Sequence, residues 1–381
     1  MHQKIVISLI AALLLTLTTS CRMSAPKVMD MAGDTLQMKY ATLIHIVHHP
    51  GGVTSVTIDN PWKEGKTLHR YLLVDKDSTL PDYPSDMTLI RTPVSRSVMF
   101  TSAHTKLLEW LGAEQHVAGI CDLKYMLMPW VQEGVKEGKI ADCGDAMSPL
   151  IEKIIDLAPD IIMLSPFENS GGYGRLENID VPYVECADYM EKSALGRAEW
   201  MRFYGMLYGK EREADSLFAV VDSSYHALKA QASKAKTHPS IITEKLTGST
   251  WYVAGGNSTV GQLISDANGR YPWADDDHSG SLAMTFETVL DRAGDADLWI
   301  FNCSPALTYE ELASEYAGYE QMRAFKTRNV WYVNTLSVPY FEEVSFHPDY
   351  LLRDYITLLH PELGLGQPKY YNRVPESILR K

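Results

Sequence analysis

The chain has 381 residues and carries 35 Lys and Arg against 48 Asp and Glu, a formal charge of −13 at pH 7. An acidic chain without basic clusters is a poor match for nucleic acid, whose recognition rests on clustered Lys and Arg. Its 45% hydrophobic content excludes a disordered chain, and its length is long for one core and comfortable for two lobes.

Lys4 opens a short basic start, and the run from Ile5 to Leu15 is apolar apart from Ser8. That run falls short of the roughly 20 residues that a membrane-spanning helix needs. Thr18, Thr19 and Ser20 then lead to Cys21. A basic start, a short apolar run and small residues at a cleavage point make a secretory signal. The cysteine directly after the small residues resembles a bacterial lipobox, in which that cysteine is lipidated and becomes the mature N-terminus. Thr18 stands where a leucine is usual. A plain signal peptide cut nearby is the other reading. Residues 1–21 thus read as a signal peptide with lipobox, and residues 22–39 as a polar tether.

Residues 40–92 read as a β-rich extension. The runs Ala41–Val47 and Val53–Ile58, joined at Pro50-Gly51-Gly52, predict a hairpin, and His69–Val74 a third strand, all antiparallel. From Pro93 strand and helix alternate. Strands are expected at Ser97–Phe100, Val117–Ile120, Ile161–Leu164 and Val181–Val184. Helices are expected at His104–Gly112, with Leu107, Leu108 and Leu111 on one face, and at Ile151–Leu157, stopped by Pro159. Such alternation predicts a mostly parallel sheet covered on both faces, an N-terminal lobe over residues 93–192. Residues 193–237 contain no strand pattern. Their stripe Ala214, Leu217, Phe218, Val221, Tyr225, Leu228 and Ala232 predicts a long helix that links two lobes. Alternation resumes in a C-terminal lobe over residues 238–381, with strands at Ile241–Thr243, Trp251–Ala254, Leu298–Phe301 and Val330–Val333. A helix is expected at Asp349–Leu359 and a loose tail from residue 361.

One internal echo supports two similar lobes. Glu152-Lys-Ile-Ile-Asp156-Leu-Ala-Pro-Asp160 and Glu287-Thr-Val-Leu-Asp291-Arg-Ala-Gly-Asp295 each precede an apolar strand, on opposite sides of the long helix. The fold class is therefore α/β, with two Rossmann-like lobes of mostly parallel sheets joined by a backbone helix. Open parallel sheets bind ligands beyond the carboxyl ends of their strands, so two such edges face one shared cleft. The loops there are rich in aromatics, which suit a bulky and partly apolar ligand. The candidate ligand-binding residues are His104, Tyr125, Phe167, Tyr173, Trp251, Tyr252, Trp273 and Tyr340. Half of these aromatics are expected to be ordinary packing residues.

Asp275-Asp276-Asp277-His278 reads as an exposed acidic turn before a cation site, and His45, His48 and His49 as strand residues on two faces. Cys121, Cys143, Cys186 and Cys303 lack paired zinc-type spacing. A Cys121–Cys143 disulfide and buried free thiols both remain open. There is no Gly-x-Ser-x-Gly elbow, Walker-type loop or His-Glu-x-x-His, so no catalytic residues are assigned.

The segment Val98–Met163 resembles the periplasmic-binding proteins for ferric-siderophore, heme and cobalamin import. The resemblance rests on Thr101-Ser102-Ala103-His104-Thr105, Leu107-Leu108, Leu111-Gly112, Val117–Ile120, Gly144 and above all Glu152–Ile162. Tyr208-Gly209-Lys-Glu-Arg-Glu-Ala214 is similar to the start of that family's interlobe helix. Looser matches run through Thr285–Asp295 and Met322–Val333, so the likeness covers about residues 93–358. It implies a lipid-anchored, monomeric, periplasmic binding protein that is not an enzyme. Such a protein captures an iron complex or cobalamin without a resident cofactor or metal. It delivers this cargo to an ABC permease and its ATPase. Lys106 stands where members often carry a docking glutamate, which departs from the family's pattern. Alternatives are a zinc or manganese binder using His104, His278 and His347, an exported enzyme on paired lobes, and a sensor for a partner protein.

Overall fold

The computed structural model describes residues 28, 32–168 and 172–376. The leader with Cys21 and most of the tether before residue 32 lie outside the described residues.

Strands β1 (Asp34–Thr35), β2 (Ile44–His49), β3 (Val53–Asp59), β4 (Thr67–Asp75) and β5 (Thr88–Thr92) form one sheet in chain order. Gly51 and Gly52, both at positive φ, close the β2–β3 hairpin, a conformation that glycine adopts without a Cβ clash. Alternation buries Ile44 and Ile46 of β2 with Val56 and Ile58 of β3. The sheet is not wholly antiparallel as expected, because β5 pairs with β4 in parallel. Residues 76–87 are long enough to return the chain to the start of β4, as a parallel pairing requires.

Two buried carboxylates fasten the segment that enters this sheet. Glu199 accepts the backbone N–H groups of Lys39, Tyr40 and Ala41 at 2.8, 2.7 and 2.9 Å. Glu191 accepts those of Thr42 and Leu43 and the indole N–H of Trp200. Elsewhere His69 of β4 meets Glu185 at 2.8 Å and stacks on Tyr71.

The first lobe contains β6 (Ser97–Met99), β7 (Val117–Ile120), β8 (Ala141–Asp142), the hairpin β9 (Gly144–Asp145) and β10 (Ser148–Pro149), β11 (Ile161–Leu164) and β12 (Tyr183–Glu185). Its parallel sheet has the order β12-β11-β6-β7-β8. Every residue of β6, β7 and β11 is buried, as covering on both faces requires. The helix Ser102–Trp110 begins where the Thr101 hydroxyl accepts the His104 N–H, and Leu107 and Leu108 are its buried face. Gly112 follows its end at φ 62°, the usual left-handed stop. Cys121 and Cys143, just past β7 and β8, are buried free thiols; burial pushes the Cys143 thiol up to about 11.

After the helices Ala194–Glu199 and Met201–Leu207 comes the long helix Glu211–Ala232. Its 22 residues extend roughly 33 Å at about 1.5 Å each. Ala214, Phe218, Val221, Tyr225 and Ala232 are its buried stripe. It packs on Met201–Leu207 behind it and on the second-lobe helix Pro348–Leu359.

The second lobe holds β13 (Ile241–Thr243), β14 (Leu246–Thr247), β15 (Thr250–Ala254), β16 (Ser281–Met284), β17 (Leu298–Cys303), β18 (Val330–Asn334) and β19 (Asn372–Arg373). The main sheet runs β13-β17-β18-β19, parallel but for β19, while β14-β15-β16 form a separate antiparallel sheet. Residues 361–376 are not a loose tail. Tyr370, Tyr371 and Val374 are buried, and Asp354 accepts the N–H groups of Lys369 and Tyr370 at 2.6 and 2.7 Å. An apolar Tyr-Tyr-x-x-Val segment with a buried acceptor waiting for its backbone docks as an edge strand.

The internal echo has a structural basis, shifted by two residues. Asp160 directly precedes β11 and accepts the Ser95 N–H at 2.6 Å, just ahead of the neighbouring β6. Asp297, not Asp295, directly precedes β17 and accepts the Ser240 N–H at 2.8 Å, just ahead of the neighbouring β13. Each aspartate ties the starts of two parallel strands.

The Glu199 clamp yields a prediction. Glu199→Ala strips three backbone donors of their acceptor, and unsatisfied buried donors cost about 1–3 kcal/mol each. The expected loss of unfolding free energy in urea is about 2–4 kcal/mol; an unchanged midpoint would show that the entering segment is not held there.

Candidate ligand-binding cleft

The carboxyl edges of the two main sheets open on a cavity of ≈ 520 Å³, within the roughly 300–1,000 Å³ usual for small-molecule sites. Thr101, Ser102, Tyr189 and Arg197 line it from the first lobe and the linking helices. Glu244, Ser258, Asn302, Tyr340 and Phe341 line it from the second lobe.

The first wall is organised around Asp188, which is fully buried in the turn after β12. Its Oδ1 faces His104 Nε2 at 2.8 Å and accepts the Tyr204 hydroxyl at 2.7 Å. Its Oδ2 accepts Arg197 Nε at 3.1 Å. The Thr101 hydroxyl contacts the other ring nitrogen of His104. Burial opposes a charged imidazole, yet the Cys186 sulfur and the Asp188 carboxylate outweigh it and hold His104 up at about 10. Burial likewise opposes the Asp188 charge, and His104 and Arg197 overcome that and hold its carboxyl below the ordinary value. The Arg197 guanidinium shares the Asp188 carboxylate and, 28% exposed, lies on the cleft wall.

The second wall carries a carboxyl with the opposite character. Glu244 follows β13 at φ 65°. Its N–H donates to Ile300 O, and its carbonyl accepts the Trp299 indole at 2.6 Å. Burial pushes its carboxyl up to about 7. Glu244 and Asn302 also line an adjoining cavity of ≈ 460 Å³ with Lys245, Cys303 and Pro305. On the first lobe a recess of ≈ 380 Å³ is lined by Phe100, Met147, Phe167 and Tyr173. It adjoins the cleft, because Phe100 precedes Thr101 and the Tyr189 hydroxyl donates to Pro166 O at 2.5 Å.

Of the expected residues, Tyr340 lies on the cleft wall, and Phe167 and Tyr173 line the recess. The Tyr173 hydroxyl is engaged by Glu185 at 2.6 Å. His104 sits behind the wall, 3% exposed, and positions Arg197 through Asp188. Tyr125 is exposed under Lys124. Trp251 is a core residue, and its indole N–H donates to Thr243 O at 2.9 Å. Strand alternation explains this, since β15 buries Trp251 and Val253 and exposes Tyr252. Trp273 is also buried, beneath the Arg292 guanidinium. His104, His278 and His347 pair with three different aspartates, Asp188, Asp276 and Asp349. They do not assemble a shared ligand set for bare zinc or manganese.

Arg197, Asp188, Tyr189 and Glu244 were not singled out by sequence. One signal was present: Arg197 is a charge between buried Leu195 and Ala198, just after the Ser193 N-cap. The partners that give it meaning come from distant segments.

The family model described as periplasmic binding protein matches residues 98–335 of this chain. An uncharacterized lipoprotein of Methanocaldococcus jannaschii is 27% identical over 359 residues, covering 88% of this chain and 84% of the relative. Among solved structures, a possible iron-binding periplasmic solute-binding protein from Staphylococcus epidermidis aligns with a TM-score of 0.57 at 18% identity, over 71% of this chain and 100% of that one. A periplasmic heme binding protein from Pseudomonas aeruginosa aligns with a TM-score of 0.56 at 14% identity, over 70% of this chain and 93% of that one. These alignments show the two-lobed fold.

The raised Glu244 carboxyl gives a pH prediction. A folded-state pKa of about 7 against an ordinary value near 4.3 makes the native state bind the extra proton, so stability falls as pH rises across that window. Glu244→Gln abolishes this loss. Urea unfolding should find the variant more stable than the native chain at pH 8 and little different at pH 4.5; a gap that does not change with pH would contradict the burial of this carboxyl.

Proposed function

The chain belongs to the periplasmic binding protein family, and from that premise we propose that its cargo is an anionic iron chelate, a ferric siderophore or heme. It is a substrate-binding protein of ABC-type transport and not an enzyme. The observation that carries the cargo reading is the Arg197 guanidinium, held at the cleft wall by Asp188 and facing a partly aromatic cavity. Arginine in a fixed orientation suits the planar, charge-rich oxygens of carboxylates and catecholates. Tyr189, Tyr340 and Phe341 supply flat apolar surface for the body of such a ligand. The structural neighbours described as iron-binding and heme binding support an iron complex. Cobalamin, which lacks several exposed anionic oxygens, makes less use of the guanidinium.

Delivery follows from the family: the loaded lobes dock on a membrane permease driven by an ATPase. Among the described residues no helix is long and apolar enough to cross a membrane. The lipoprotein relative and the leader with Cys21 together support an exported chain held to the membrane by lipid on that cysteine. Lys106 is ion-paired to Glu109 at 2.6 Å, and Glu109 also takes the Trp130 indole. Neither side chain is free, so permease docking through this helix would have to rearrange the trio.

Thermal unfolding of the full-length chain in detergent, followed by tryptophan fluorescence, tests the cargo. The panel is ferric catecholates, ferric hydroxamates, hemin, cobalamin, zinc and manganese. A ligand present at 100 times its dissociation constant adds about 2.7 kcal/mol. The expected result is a large shift with one class of iron chelate, and Arg197→Ala should weaken that binding about tenfold or more. A shift with zinc or manganese alone, or with none of the panel, would overturn the reading.

A further inference from the structure

The cleft is electrically two-ended, and its second end has no side-chain partner among the described residues. Glu244 makes no side-chain hydrogen bond or ion pair with another described residue, although it lies largely enclosed between two cavities. Beside it, Asn302 Oδ1 is buried and lacks a hydrogen-bond partner. Buried acceptors are ordinarily satisfied, and those left open mark a place for something not of the protein. Two cations close to it in chain or cavity are paired with other carboxylates. Lys245, the next residue, holds Glu315 at 2.6 Å, and Arg197 across the cavity holds Asp188. The phenols of Tyr271, Tyr340, Tyr355 and Tyr371 are close enough to feel the Glu244 charge. None is a cation, so the ionised carboxyl finds its counter-charge only in a proton or in a ligand.

The backbone also commits Glu244 to this place. Its left-handed φ of 65° is uncommon for a residue with a Cβ and carries a strain of about 1–3 kcal/mol. The flanking bonds to Ile300 and from the Trp299 indole hold that conformation against relaxation. The backbone thus fixes where this side chain starts, on the wall of a cavity and with no side-chain partner among the described residues.

We propose that Glu244 and Asn302 form a specificity-determining acceptor pair that selects chelates bearing a protonated amine, at the side of the ligand opposite the oxygens taken by Arg197. This rests on the chelate reading above and narrows it to dipolar ligands. A buried carboxylate that gains an ammonium partner recovers a charge-assisted hydrogen bond. A ligand lacking that group leaves the acceptors desolvated, and sites of this kind discriminate strongly against the analogue that lacks the donor.

Matched probes test the inference without needing the natural cargo. One pair is a ferric trihydroxamate with a free terminal ammonium and its N-acetylated form; a second pair repeats the change on a ferric catecholate frame. Affinities are read at pH 8 from tryptophan quenching of the full-length native chain in detergent and of Glu244→Gln. On whichever frame binds, the native chain should hold the ammonium form at least tenfold tighter than the acetylated form. Glu244→Gln should bring the two within threefold by weakening the ammonium form alone. The native-chain comparison stands even if the variant folds poorly. Equal affinity of the two forms for the native chain, or a preference that survives in Glu244→Gln, would overturn the acceptor pair while leaving the chelate reading intact. Binding of no chelate from either frame, hemin included, would instead remove the chelate reading and the acceptor pair with it.

Discussion

Asp188 is the residue on which the cleft depends. One buried carboxylate receives an imidazole, a phenol and a guanidinium, which arrive from the helix after β6 and from the two helices that leave the first lobe. Isolated, a buried charge of this kind would be strongly disfavoured. With three partners both of its oxygens are engaged, and taking away one member of such a buried set costs about 3–5 kcal/mol. The same bonds do mechanical work in the fold. They pin the start of the interlobe connection to the carboxyl edge of the first sheet and set the direction of Arg197. A flexible arginine on a surface loop would lose rotamer freedom whenever it met a ligand; this one has its ion pair already formed.

The remaining architecture holds that edge opposite a second one. Asp160 and Asp297 tie paired strand starts in the two lobes, so both sheets present their carboxyl ends in register. The helix Glu211–Ala232 runs behind both lobes and packs on the second-lobe helix Pro348–Leu359. On the cleft side the lobes also touch directly, where Glu342 accepts the Leu127 N–H at 2.9 Å and Phe346 meets the His104 ring edge-on. Burial raises the Glu342 carboxyl above its ordinary value. A helical spine with contacts of this kind resists wide hinging, so the cavity is largely formed before a ligand arrives. The N-terminal sheet joins the same frame through Glu191 and Glu199, which place its entering segment against the interlobe helices.

The parts of the fold governed by local rules were legible in the sequence. Strand Ile161–Leu164 and helix Ile151–Leu157 fall where apolar runs, a proline stop and strand–helix rhythm predict them, and the long helix follows its apolar stripe. Parallel topology then located the cleft at the strand ends. What was not legible depends on partners far away in the chain. His104 and Asp188 are 84 residues apart, and no local pattern announces that the histidine will be taken up by a carboxylate instead of facing the ligand. Aromatic content alone misplaced Trp251 and Trp273, which fill the second-lobe core; only the alternation of β15 separates Trp251 from exposed Tyr252. The last strand was hidden for a similar reason, since the acceptor that docks Lys369 and Tyr370 is Asp354 on a preceding helix.

In the proposed complex an iron chelate sits between Arg197 and the aromatic second-lobe wall. A crystal structure of the chain grown with the iron chelate that binds it, with anomalous data collected at the iron edge, tests this most directly. The expected result is one strong iron peak inside the cleft, with ligand oxygens on the Arg197 guanidinium and the ligand body against Tyr340 and Phe341. An iron peak outside the interlobe cleft, or a chelate in the cleft whose oxygens leave Arg197 untouched, would contradict it.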